Sequence, residues 1–258
     1  MLRFLRADLR RMAKGRPFAL LLLAMALLSA AMLAMQATAM DYTVPLSRVV
    51  FLPLSFYGVA AAAFVSAFVG TDFSDGCIRN KLVAARKRRD VALALVLSSA
   101  VGCAAAYALS ALLTLGIGRF LFEGDVSPAA LAGYFALGLG MSLSVACLFA
   151  VVSLLCGSKT RGIVWCMGIA FAMLVLALRT HQVLAQPEWK DGLPNPHYTT
   201  GLRRALCGVL HDLNPCGQAA QLSSWHTWNP LRMALCDLAW VLGVPAAGCA
   251  WFEGKDIQ

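Results

Sequence analysis

The histidines and cysteines are the first candidates for chemistry, because these side chains bind zinc and act as nucleophiles. All four histidines lie in one polar stretch, residues 179–230, with two of the nine cysteines. The spacing of Cys207, His211 and Cys216 matches no compact zinc site, and the sequence contains no C-x-x-C pair. We therefore expect no metal site. Cys207 and Cys216 share this predicted extracytoplasmic segment, so a disulfide and two free thiols are both open alternatives.

Sequence motifs for phosphate binding and for hydrolysis are missing. The phosphate-binding motif G-x-x-x-x-G-K-[ST] does not occur, and Gly157-Ser158-Lys159-Thr160 lacks its upstream glycine, so we interpret it as a turn. H-E-x-x-H and G-x-S-x-G do not occur either. We expect that this chain is not an enzyme.

Asp237 is the one acidic residue that lies clearly inside an apolar run. A carboxyl group within a membrane span is a candidate functional group. The alternative, which the sequence favours, is a carboxylate hydrated near the outer surface and paired with Arg232 or a loop cation.

Six apolar runs must position these residues, and each approaches the roughly 20 residues that cross about 30 Å of hydrocarbon as a helix. The mean hydropathy of +0.71 and the 60% hydrophobic content agree with this reading. The sequence predicts an all-α polytopic membrane protein with six transmembrane helices, the first of them retained rather than cleaved as a signal peptide. The predicted spans are 17–39, 49–69, 91–118, 129–156, 163–178 and 231–252.

The basic residues are sorted by loop, which predicts the orientation of the chain. Fifteen of the 22 Lys and Arg residues precede the first span or follow the second, fourth and sixth spans. The positive-inside rule therefore predicts cytoplasmic termini, a cytoplasmic loop at 71–90 and an extracytoplasmic segment at 179–230 in the cell membrane. This sorting also argues against nucleic acid as the partner of a chain with net charge +9.

Residues 1–16 place apolar side chains along one helical stripe among arginines. This pattern predicts an amphipathic helix at the inner membrane surface, in contact with anionic lipids. A disordered basic tail is the alternative. The stripe consists of Leu2, Leu5, Leu9 and Met12.

The charged segment from Phe68 to Arg89 lies between two spans and predicts a docking helix or a surface helix. We expect Asp72 near the start of this helix, where a carboxylate complements the positive end of the helix dipole. Ile78, Leu82 and Val83 are expected to form one apolar patch on it.

The residues FVGTDFSDGCIRNKL resemble the segment after the second span of type-2 ABC transporter permeases (ABC-2 type). That family commonly has an acidic residue and an aromatic residue followed by G-T-I-R-N-K-L. Asp72 stands where glutamate is usual, and Cys77 stands where threonine is usual. The order of the other segments agrees over nearly the whole length, including Asn214-Pro-Cys-Gly-Gln before the sixth span.

The resemblance implies one permease domain over residues 1–258, with a coupling helix in segment 71–90 that docks on a separate ABC ATPase subunit. That subunit would bind ATP and Mg²⁺, and this chain would hold no cofactor. A second permease copy or a paralogue would complete the path for an exported hydrophobic or amphiphilic substrate. The alternative is a non-transporting membrane scaffold or immunity-type protein whose loop binds lipid or a partner. By resemblance the ATPase contact would be carried by Asp72, Phe73, Gly76, Ile78, Arg79, Asn80 and Lys81.

Overall fold

The chain folds into a bundle of long helices. The computed structural model describes residues 1–39, 44–85, 87–124, 126–190 and 193–254, so Arg86, Lys255 and the end of the predicted cytoplasmic tail lie outside the described residues. The elements of the described residues are α1 (Leu2–Lys14), α2 (Arg16–Ala39), α3 (Tyr57–Ser74), α4 (Cys77–Ala84), α5 (Arg88–Leu121), α6 (Pro128–Cys156), α7 (Lys159–Ala185), β1 (Trp189–Lys190), β2 (Leu193–Pro194), α8 (Gly201–Leu213), α9 (Pro215–Ser223) and α10 (Pro230–Gly254).

Six of these helices are long and apolar enough to cross a membrane, which is consistent with a multi-pass membrane protein. They are α2, α3 with the turns before it, α5, α6, α7 and α10, in the order that the sequence predicts. The fifth is longer than the predicted run 163–178, because polar residues extend both of its ends. The second begins with two short 3₁₀ helices, Leu46–Arg48 and Leu52–Phe56, so regular α-helix starts only at Tyr57.

The six long helices divide into an inner and an outer set. The most apolar windows of the second, third and fourth spans are 61–67% buried, whereas those of the first, fifth and sixth are 22–28% buried. Small side chains allow the inner helices to approach closely, as at Gly102, where a Cβ would lie 2.7 Å from Phe64 and 2.8 Å from Met12. Much of the surface of α2, α7 and α10 is therefore left for lipid or for other protein.

The connection between α6 and α7 has the turn structure expected from the sequence. Gly157 adopts φ 61°, and its N–H donates to the carbonyl of Ser153 at 3.3 Å. A glycine in this left-handed conformation is a common helix end. Helix α7 then begins at Lys159, so the Gly157–Thr160 look-alike of a phosphate-binding loop is a turn between two spans.

Helix α9, which belongs to the segment 179–230 that the sequence predicts to be extracytoplasmic, packs into the helix bundle. Asn214 caps α9 by accepting from the N–H of Cys216 at 3.0 Å, and its side-chain amide donates to the carbonyl of Met173 at 2.7 Å. Met173 lies in the middle of α7, so α9 enters among the spans. Most of its residues are buried against α6, α7 and the second 3₁₀ helix. Helix α8 keeps an exposed apolar stripe, as expected for a surface helix.

Candidate functional site

Helix α4, the centre of the candidate site, is separated from α3 by a tight turn at Gly76. Gly76 has φ 66° and ψ 5°, a left-handed conformation that glycine adopts without steric cost. Asp72 lies in the last turn of α3, before this break. The expectation that Asp72 begins the helix and complements its dipole is therefore wrong, because the helix that follows starts only at Cys77.

Four charged side chains from three helices meet beside this turn. Lys81 of α4 donates to Asp72 of α3 at 2.6 Å and to Asp8 of α1 at 2.5 Å. Arg11 of α1 donates to the other oxygen of the Asp72 carboxylate and lies 3.8 Å from Asp8. Asp8, Arg11, Asp72 and Lys81, which we call the charge cluster, therefore balance two carboxylates against two cations and tie α1 and α4 to the end of α3.

The charge cluster is largely buried, so each of its charges depends on the oppositely charged neighbours for stabilisation. Asp72 is 0% exposed and Asp8 is 1% exposed. Burial lowers the pKa of Lys81 and of Arg11, and the neighbouring Asp8 carboxylate acts in the opposite direction. The Arg11 guanidinium also lies 4.7 Å from the centre of the Phe68 ring, a cation–π contact. Removing one member would leave an uncompensated charge in a site with little water.

Helix α4 has a buried side and an outward side. Ile78 is 2% exposed, and Phe73 and Leu82 pack against the core. Arg79 and Asn80 point outward, and Val83 is 89% exposed. The expected apolar patch of Ile78, Leu82 and Val83 is therefore wrong, because Val83 lies on the opposite side of the helix. We call Arg79, Asn80 and Val83 the outward face.

Apart from Gly76, which forms the turn, the predicted contact residues divide into two groups. Asp72, Phe73, Ile78 and Lys81 hold α4 to the bundle, and Arg79 and Asn80 are available to a partner. Asp8 and Arg11 were not predicted to take part. Their only sequence signal is an acidic residue within an otherwise basic amphipathic helix, and the residues they contact lie 61 and 73 positions away along the chain.

Asp237 lies far from this site, beside the middle of α6. It is 5% exposed, and its Oδ1 accepts from the Ser144 hydroxyl at 2.9 Å. The favoured expectation of a hydrated carboxylate paired with Arg232 is wrong, because Arg232 donates to Asp212 of α8 at 2.5 Å. Asp212 also accepts from the Gln221 amide at 2.7 Å. Asp237 is instead a carboxyl group buried between α6 and α10.

The His and Cys residues form neither a disulfide nor a metal centre in the described part of the chain. Cys207 and Cys216 are free thiols, and the Cys216 sulfur packs 2.8 Å from the position of a Cβ at Gly58. The described residues contain no group of three His, Cys, Asp or Glu able to hold a metal ion. His211 instead bonds through Nδ1 to the Thr180 hydroxyl at 2.8 Å, and burial lowers its pKa to about 4, with a further contribution from His181.

Searches against protein-family models and against curated proteins found no match to the chain.

Proposed function

We propose that the chain is the membrane-spanning permease subunit of an ATP-driven ABC transporter, energised by a separate ATPase subunit that docks on α4. The observation that supports this most is the charge cluster. It attaches a short helix firmly to the bundle while Arg79, Asn80 and Val83 remain free on the other side.

A coupling element has to transmit force as well as bind. Helix α4 contacts both α3 and α5, and the charge cluster adds α1. A partner that pushed on α4 would therefore act on the two most buried spans rather than on a loose loop. The outward face offers a cation, an amide and an apolar side chain, which suits a mixed polar and apolar protein interface.

The proposed orientation follows from charge. With fifteen of the 22 Lys and Arg residues assigned to one side, α1, α4 and the C-terminus are cytoplasmic, where an ATPase has access to ATP. Helix α8 is then extracytoplasmic. The partner subunit binds ATP and Mg²⁺, since this sequence has no phosphate-binding motif of its own.

A second copy of the chain or a paralogue completes the proposed transport path. The outer helices α2, α7 and α10 leave apolar surface uncovered, and a permease partner can cover part of it. The apolar character of the spans suits a hydrophobic or amphiphilic cargo such as a peptide, a drug or a lipid-like molecule. Export is the direction that the resemblance implies.

The test compares charge reversal on the two sides of the bundle, in the complex purified from its native membranes. Arg79→Glu should lower substrate-stimulated ATP hydrolysis and transport together, because it changes the outward face. Arg203→Glu on α8 is the matched control, since Arg203 is also an exposed arginine and the charge change is the same. The control should retain both activities.

Equal activity in the two variants would contradict the proposal. The chain would then be better explained as a non-transporting membrane scaffold or immunity-type protein, in which α4 is a solvated surface helix.

A further inference from the structure

Asp237 is a buried acid without a counter-ion. No Lys, Arg or His of the described residues forms an ion pair with it, and its Oδ2 is buried without a hydrogen-bond donor. The Ser144 hydroxyl donates to the other oxygen, Oδ1, at 2.9 Å. A carboxylate in such surroundings is very costly, whereas the neutral acid is not.

The surroundings of Asp237 also contain an acceptor that lacks a donor. Gln218 of α9 interacts with the Asp237 carboxyl, and its amide N–H donates to the carbonyl of Asp212 at 2.7 Å. The carbonyl oxygen of the same amide, Oε1, is buried without a partner. The site thus contains two buried oxygens, one on Asp237 and one on Gln218, that lack a hydrogen-bond donor among the described residues.

The backbone leaves room for this carboxyl group. At Gly140 of α6 a Cβ would lie 2.6 Å from Oδ2 of Asp237, so any larger residue would displace it. The site is therefore formed by three elements, namely α6 through Gly140 and Ser144, α9 through Gln218 and α10 through Asp237.

We propose that Asp237 is a proton-binding site that joins α6, α9 and α10. In this conformation Asp237 carries a proton on Oδ2. Loss of the proton leaves a buried carboxylate without a cation among the described residues to pair with it, and favours separation of α10 from α6. The proposal does not depend on the transport function.

The other ionisable groups around the site do not supply its missing charge. Arg232 and Cys236 share the helix with Asp237, and Asp212 approaches from α8, where it pairs with Arg232. From α5, the Tyr107 hydroxyl approaches Gly138 and donates to the carbonyl of Phe135 at 3.1 Å. On α6 and α9, the nearest elements, the titratable side chains are the phenol of Tyr134 and the thiols of Cys147, Cys156 and Cys216.

Infrared spectroscopy of the purified full-length protein at about pH 5, where an ordinary aspartate is ionised, tests the assignment. The difference spectrum between wild type and Asp237→Asn should contain the carbonyl stretch of a protonated carboxylic acid, with a shift on deuteration. Asp75→Asn is the matched control, because Asp75 is exposed and its replacement should leave the band of the protonated acid unchanged. A carboxylate band in the Asp237→Asn difference would overturn the proposal.

A second test measures thermal unfolding as a function of pH. It does not require that the infrared band of Asp237 be resolved. Because the folded state holds a proton that an unfolded aspartate releases at about pH 4, the wild type should lose stability as the pH rises from about 4 toward neutral. Asp237→Asn imitates the neutral acid and should show a smaller loss over the same range. Identical pH profiles for the two proteins would contradict the proposal.

Discussion

The charge cluster explains how a short polar helix is held at the end of a long apolar one. Asp72 and Lys81 belong to the motif that resembles the permease segment, and their ion pair joins a buried carboxylate to a partly exposed ammonium group. Asp8 and Arg11 could not be predicted, because spacing within one segment carries no information about which distant helix will pack on it. The two carboxylates and two cations balance, so the loss of a pair should be milder than the loss of one member.

Lys81→Met should therefore destabilise the protein more than the double substitution Lys81→Met with Asp8→Asn. The single variant leaves two buried carboxylates with one cation, and breaking a buried pair costs about 3–5 kcal/mol. The double variant restores the charge balance. Melting temperatures of the purified proteins in detergent measure the difference, and a double variant less stable than the single one would contradict the role of charge balance.

His211 should make stability sensitive to mild acid. Burial lowers the pKa of His211 from 6.5 to about 4, so between these values the unfolded chain binds a proton that the folded chain does not. Stability should therefore fall as the pH decreases from 6.5 to 4, by at most about 1.4 kcal/mol per pH unit. His211→Asn can still bond to the hydroxyl of Thr180 and should show a smaller fall. Parallel profiles for the two proteins would exclude His211 as the cause.

Among the helices, the sequence alone is enough to predict the six long ones, but it does not predict that α9 is buried among them. Each span is an apolar run with its own hydropathy signal, so its existence does not depend on its neighbours. Helix α9 is short and partly polar, and its burial depends on the bond from Asn214 to the backbone of α7. The N-cap Asn and the following Pro215 predict a helix start, but not its depth.

The loss of stability caused by a substitution at Gly76 should depend on how easily the new residue adopts a positive φ. A Cβ at Gly76 would meet nothing within 4 Å, so any cost arises from the backbone alone. Gly76→Val should cost about 1–2 kcal/mol and Gly76→Asn less, because asparagine adopts the left-handed conformation more easily. Gly76→Pro should be the most disruptive, since proline fixes φ near −65° and would move Lys81 of α4 away from Asp8 and Asp72.

Thermal unfolding of the three Gly76 variants, with circular dichroism to verify the helical content, measures this order. Equal stability of the asparagine and valine variants would show that the turn does not require positive φ.

At the scale of the whole molecule, three buried spans are surrounded by three largely exposed ones. The number and the order of the spans could be predicted from hydropathy. Which spans form the centre could not, because all six are apolar and their burial depends on where small residues such as Gly102 and Gly138 meet bulky partners. The sidedness and the partners remain predictions from charge and from the resemblance.

The sidedness can be tested by introducing accessible cysteines into the protein in intact cells. Val83→Cys should react with a membrane-impermeant thiol reagent only after the membrane is opened, whereas Leu202→Cys on α8 should react from outside. Both positions are strongly exposed, so burial does not explain a difference between them. The opposite pattern would invert the topology and remove α4 from the cytoplasm.

The most direct test of the central claim is photo-crosslinking from the outward face of α4. A photoreactive amino acid at position 83 in native membranes should form an adduct with a separate protein that contains a phosphate-binding loop and hydrolyses ATP. The same amino acid at position 202 is the control and should not label that protein. If position 83 yields only lipid adducts, or labels the same proteins as position 202, then α4 does not couple this chain to an ATPase.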